Sequence, residues 1–183
     1  MFIRKKTEIE KADLLGPQLV GGATELAREI MEELDKRYNV RLRDEDNRAQ
    51  FGIEVLAFYI HIIDHFAFDI LGVAGRELFF DRFCETIEAE LREAIGEGIP
   101  ADEFVKTLRE THNRRMSEYV RYKFPEPGQP PKDTLFWEFG KILFAYTNGP
   151  NPVTLMAFLI PFIIMSSDDL LTKVMKVEKV LRN

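Results

Sequence analysis

The chain has three histidines, at positions 61, 65 and 112, and their placement is the first thing that suggests chemistry. His61 and His65 stand four residues apart, which puts two imidazoles on one helix face within reach of a single metal ion, as in the zincin helix. Glu54 precedes His61 by seven residues, two turns earlier on the same face, so about 10 Å of axial rise separates its carboxylate from the pair. Its expected roles are fourth ligand, base acting on a metal-bound water, ligand of a second metal, or orienter of a histidine. His112 sits near the centre of an apolar face drawn by Phe104, Val105, Leu108, Met116 and Tyr119. Three neutral imidazoles and a carboxylate suit a divalent zinc, iron or manganese ion with one position open to water or substrate. The expected metal ligands are therefore His61, His65, His112 and Glu54, with Glu54 also the catalytic base. Metal-assisted hydrolysis or small-molecule redox would be the chemistry. Asp64, beside the stripe, is placed to orient a bound imidazole.

Competing readings need no metal. A pair of histidines at this spacing also decorates solvated helix faces, and a lone buried histidine is commonly a hydrogen-bonded core residue. The zincin glutamate is missing, since Ile62 follows His61, and the Glu-x-x-His motifs of ferritin-like di-iron sites are absent. No nucleophile elbow and no glycine-rich phosphate loop occurs. Arg109, Arg114, Arg115 and Arg121, with Lys106 and Lys123, give one segment a basic flank suited to a small anionic ligand or to plain solvation. Trp137 and Phe144 point away from the face formed by Leu135, Phe139, Ile142, Leu143 and Tyr146, which calls for a second packing surface, an apolar pocket or a subunit contact. The alternative function is thus a non-catalytic helical module that uses the aromatic surface near Trp137 and the proline-rich loop to bind a protein partner or apolar ligand, or to form a homodimer.

The elements that must position these residues are helices, because apolar residues recur at spacings of three and four and sustained alternation is absent. Thr7 and Glu10 form a capping box for a short helix expected to stop at Gly16-Pro17. A second helix carries Leu26, Ile30 and Leu34 and ends near Tyr38-Asn39. Asp44, Glu45 and Asp46 suit the start of the longest helix, about 47–71, whose apolar circumference marks it as central. Gly72 and Gly75 predict a bend into an amphipathic helix over 76–95, ended by Gly96, Gly98 and Pro100. Further helices are expected from Asp102 to about Lys123, from Thr134 to about Tyr146, over the apolar run 153–165 with a kink at Pro161, and after a cap at Ser167-Asp168-Asp169. In that last helix Leu170, Val174, Val177 and Leu181 form a stripe. Between 125 and 131 four prolines and a glycine forbid regular structure.

Composition frames this as one all-α domain over 1–183, a bundle of about six to eight helices. The 183 residues are 45% hydrophobic and 31% charged, which excludes disordered and disulfide-scaffold classes. Thirty-one acidic against 25 basic residues give a net charge of −6, which disfavours nucleic acid as partner. One cysteine, Cys84, on a buried face and expected to be inert, together with the absence of an N-terminal apolar stretch, predicts a reducing, cytoplasmic setting. The run 153–165 is shorter than the roughly 20 residues a spanning helix needs, so no membrane is expected.

Overall fold

A computed structural model describes residues 5–95, 100–125, 132–148 and 152–183, and every regular element among them is helical. The first, α1 (Glu8–Tyr38), begins with the expected capping box: Thr7 Oγ1 accepts from the Glu10 amide at 3.2 Å, and the Glu10 carboxylate accepts from the Thr7 amide at 2.8 Å. It does not stop at Gly16-Pro17. Pro17 costs a backbone hydrogen bond, but the buried face continues on both sides of it through Ala12, Leu15, Leu19, Ala23 and Ile30, so packing carries the helix through. Gly16 also lies where a Cβ would meet the Thr86 side chain at 2.8 Å, a contact that holds α1 close to its neighbour. Asn39, in the left-handed region at φ 51°, ends the helix.

Asp44 caps α2 (Glu45–Ala94) by accepting from the Asn47 amide at 2.8 Å. Its 50 residues form two arms, 45–71 and 73–94, because Gly72 stands at φ 68°, ψ −177°. The change of direction is a reversal, larger than the expected bend. Arg76 Nε and Nη2 donate to the two Asp64 oxygens at 2.6 and 2.7 Å, although twelve residues of straight helix would separate the pair by about 18 Å. Further from the turn, Ile60 lines the same small cavity as Cys84 and Ile87. The arms are therefore antiparallel neighbours. α1 runs parallel to the second arm, with Glu8 beside Gly75 and Asp13 accepting from Arg82 Nε at 2.6 Å.

The second arm ends at Ala94, and Gly96 and Gly98, the expected terminators, lie outside the described residues. α3 (Ala101–Tyr119) then runs antiparallel to the second arm, with Arg92 bonded to Asp102 and Arg109 to Glu88. It runs parallel to the first arm, where Gln50 meets Thr111 and Glu54 meets Arg115. It ends about four residues before Lys123. The proline-rich segment 126–131 lies outside the described residues.

Thr134 caps α4 (Leu135–Phe144), and Gly140 admits Ile160 and Met156 of α5 (Pro152–Asp168) against the helix backbone. The expected cap at Ser167-Asp168-Asp169 is not one. Ser167 is buried inside α5, donates to the Ile163 carbonyl at 2.6 Å and meets the Tyr59 hydroxyl. A π-helical turn follows over Asp169–Val174, then Lys176 at φ 52°, then the short α6 (Val177–Arg182). That wider turn breaks the expected stripe: Leu170, Val177 and Leu181 are buried, while Val174 is 64% exposed.

The protein is all-α, with five helices of ten residues or more among the described residues instead of six to eight, because two expected pairs of helices are each continuous by hydrogen bonding. One hydrophobic cluster draws on all of them. The first arm of α2 lies at its centre, with Phe51, Val55, Ala57, Phe58, Tyr59 and Ile63 fully buried, as its apolar circumference predicts. α2 is also the one described helix long and apolar enough by composition to cross a membrane, but it folds back at Gly72 and buries more than half of its apolar window within the protein.

Candidate functional site

Glu54 is fully buried on the first arm of α2, and its carboxylate is saturated with donors. Arg115 Nε donates to Oε2 at 2.7 Å and Arg115 Nη2 to Oε1 at 2.7 Å. Arg114 Nη2 and the Tyr146 hydroxyl both donate to Oε1, at 3.1 and 3.0 Å. Arg115 is nearly buried and also reaches Glu118 on its own helix, whereas Arg114 is half-exposed. Backbone pairing brings Tyr146 here: the Arg43 amide donates to the Tyr146 carbonyl at 3.2 Å and the Asn148 amide to the Arg41 carbonyl at 3.0 Å, tying the α1–α2 turn to the end of α4. The bidentate fork and the phenol tie α2 to α3 and to the segment after α4. These charge-assisted bonds occupy both carboxylate oxygens with donors from α3 and from the segment after α4.

The histidines take three different environments. His61 packs against the Tyr119 ring at 5.2 Å between centroids, and its Nδ1 lies 3.0 Å from Met116 Sδ. Burial pushes its pKa down to about 4, with nearby Asp64 opposing the shift. His65 is exposed, 3.7 Å from Asp69 and stacked near Phe124. His112 faces Phe80 and the small cavity of about 40 Å³ it shares with Ile60, Cys84 and Glu88; its Nε2 is buried without a hydrogen-bond partner, and burial lowers its pKa. Among the described residues no group of three or more His, Cys, Asp or Glu side chains is gathered as a metal donor set. Asp64, the expected orienter of an imidazole, is engaged instead by Arg76.

Other sequence features resolve into packing. On the second arm of α2, Arg76 pairs with Asp64 of the first arm, Arg82 with Asp13 of α1 and Arg92 with Asp102 of α3, while Arg82 with Glu85 and Arg92 with Glu88 pair within the arm. Arg109, Arg114 and Arg115, half of the basic flank on α3, are spent on Glu88 and Glu54. Cys84 is partly buried, and burial pushes its thiol up to about 12, which makes it inert as a nucleophile. Trp137 and Phe144, expected to point away from the main apolar face of their helix, are partly buried and packed against the core. The Tyr119 hydroxyl is buried without a partner, and burial, with Glu54 close by, raises its pKa.

Exposed apolar side chains accumulate elsewhere, at the Gly72 end. Phe68 lies one turn before the reversal at 51% exposure, and Val73 and Leu78 just after it at 62% each. With Asp13 bonded to Arg82 on parallel helices, exposed Ile9 and Leu78, each four residues earlier, lie at about the same level. Val73, Glu77, Leu78 and Asp81 share the outward face of the second arm, opposite buried Phe79 and Phe83, and exposed Asp69 completes an acidic rim. Sequence reasoning missed this surface because Val73 lay in the expected bend and Leu78 in the amphipathic helix after it; only the reversal puts Phe68 and Ile9 at the same end. Fold and site together define an all-α protein with a buried carboxylate–guanidinium lock and an apolar, acid-rimmed end. Comparison with known proteins finds no family model, no curated protein and no solved structure that matches the chain.

Proposed function

We propose that this protein is a helical binding module whose Gly72 end receives a basic amphipathic helix from a partner protein. The observation that carries this reading is the coincidence of exposed Phe68, Val73, Leu78 and Ile9 with the unburied carboxylates of Asp69, Glu77 and Asp81. Apolar anchors supply affinity through burial, about 1.5–3 kcal/mol per large side chain, and the acidic rim selects a partner of opposite charge. The test is fluorescence anisotropy with a labelled Lys/Leu amphipathic peptide of about 18 residues, five helical turns. Saturable binding weakened about tenfold by Val73→Ser with Leu78→Ser, weakened by Glu77→Lys with Asp81→Lys, and unchanged by Val120→Ser on α3 is the expected result. Absence of saturable binding, or equal loss in the Val120→Ser control, overturns the proposal, as does self-association of the free protein that the same Val73 and Leu78 changes abolish.

A second reading, a divalent zinc, iron or manganese ion on His61, His65, His112 and Glu54, draws support from the unpartnered His112 Nε2. It requires Glu54 to exchange Arg115 for the metal. Near-stoichiometric metal that disappears in folded His61→Ala and His112→Ala variants is its signature.

A further inference from the structure

Gly72 is the one residue in α2 whose backbone leaves the helical region. Its φ of 68° and ψ of −177° fall where glycine alone sits without strain. No loop intervenes: helix continues up to it and resumes after it, so rotation of two dihedrals at one residue interconverts a hairpin and a straight helix of 50 residues, about 75 Å long. Straightening brings Gly72 itself to helical angles, the only residue of α2 that has to change. It also opens the contact between the arms, including the Asp64–Arg76 bridge and the packing of Ile60 against Cys84 and Ile87. A second copy of the chain, opened in the same way, restores each of those contacts. Exchange of identical elements between copies is a low-cost route to dimers when a hinge can take either conformation.

We propose that α2 is a one-residue hinge through which two copies of this chain exchange their arms, giving a dimer in which 45–94 runs straight and Asp64 of each copy binds Arg76 of the other. The dimer buries what the monomer buries, so the balance between them rests on Gly72 and on protein concentration. This inference is independent of the partner-binding reading.

Gly72→Ala tests it directly. A Cβ at this position meets nothing within 4 Å, so the substitution introduces no clash in the hairpin and penalises only its backbone angles. Light scattering after size exclusion is expected to show the dimer fraction rising at least tenfold over the unsubstituted protein, with the same helical content. A Gly72→Ala protein that stays monomeric while folded overturns the proposal. If that variant does not fold, the decision passes to Asp64→Cys with Arg76→Cys in a Cys84→Ser background, refolded at high concentration and oxidised. Disulfide-linked dimers on a non-reducing gel support arm exchange; exclusively intrachain bridges, or monomers with both thiols free, overturn it.

Discussion

Among single residues Glu54 is held by the densest set of charged partners in its surroundings. A fully buried carboxylate with two guanidiniums and a phenol around it is stable only while its partners remain, because removing one leaves the others' charge without compensation in a dry site. Glu54→Gln is expected to cost about 3 kcal/mol or more in urea unfolding, and Arg115→Met a similar amount. Replacing both by apolar residues is expected to cost less than the sum; strict additivity would show that the two side chains do not act as a unit. Arg114, half in solvent, contributes far less. His61 sets the pH response. Its folded pKa is about 4 and an unfolded imidazole titrates near 6.5, so between these values the unfolded chain takes up a proton that the folded chain refuses. Its contribution is complete above about pH 6.5 and is lost as pH falls toward 4, and His112 acts in the same direction. Denaturation midpoints measured at pH 7 and 4.5 are expected to converge in a His61→Gln, His112→Gln protein. An unchanged pH slope in that variant would show that other groups carry the effect.

At the scale of elements, the α1–α2 interface is set by how closely two backbones approach. Gly16 and Gly21 both sit inside α1, where alanine is favoured over glycine by about 1 kcal/mol on propensity alone. Their surroundings separate them. A Cβ at Gly16 meets Thr86 Cβ and Cγ2 at 2.8 Å, atoms next to the α2 backbone that cannot swing aside, whereas a Cβ at Gly21 meets nothing within 4 Å. Overpacking of this kind costs about 1–3 kcal/mol. Gly16→Ala is therefore expected to lower the thermal midpoint and Gly21→Ala to raise it; shifts of the same sign in both would mean that α1 does not lie as close to α2 as described. The elements also show what local sequence rules miss. Gly16-Pro17 reads as a stop and Ser167-Asp168-Asp169 as a start, and both are overridden by burial, of Leu15 and Leu19 in one case and of Ser167 against Tyr59 in the other.

For the molecule as a whole, stability is expected to be graded outward from the first arm of α2. Amides over 53–63, surrounded by fully buried Val55, Ala57, Phe58, Tyr59 and Ile63, are expected to exchange slowest, and those of α6 to exchange at least a hundredfold faster, as hydrogen exchange read by mass spectrometry would show. Equal protection across both segments would overturn that ranking. Much of this was written in the chain. Local sequence patterns determined the all-α class, the capping box at Thr7, a helix start in the acidic cluster Asp44-Glu45-Asp46, an end near Tyr38-Asn39 and the centrality of the helix that follows, because each depends on neighbours within a few residues. The polar stripe of Glu54, His61 and His65 was legible too, but its meaning was not. Whether a carboxylate meets metal or guanidinium depends on which helix lies across from it, and that is settled by long-range packing: Arg114, Arg115 and Tyr146 reach Glu54 from 60 to 92 residues away. The reversal at Gly72 decided the rest. A glycine in sequence allows a bend of any size, and only the burial gained by folding one arm onto the other, clamped by Asp64 and Arg76, selects the full turn that gathers Phe68, Val73, Leu78 and Ile9 at one end.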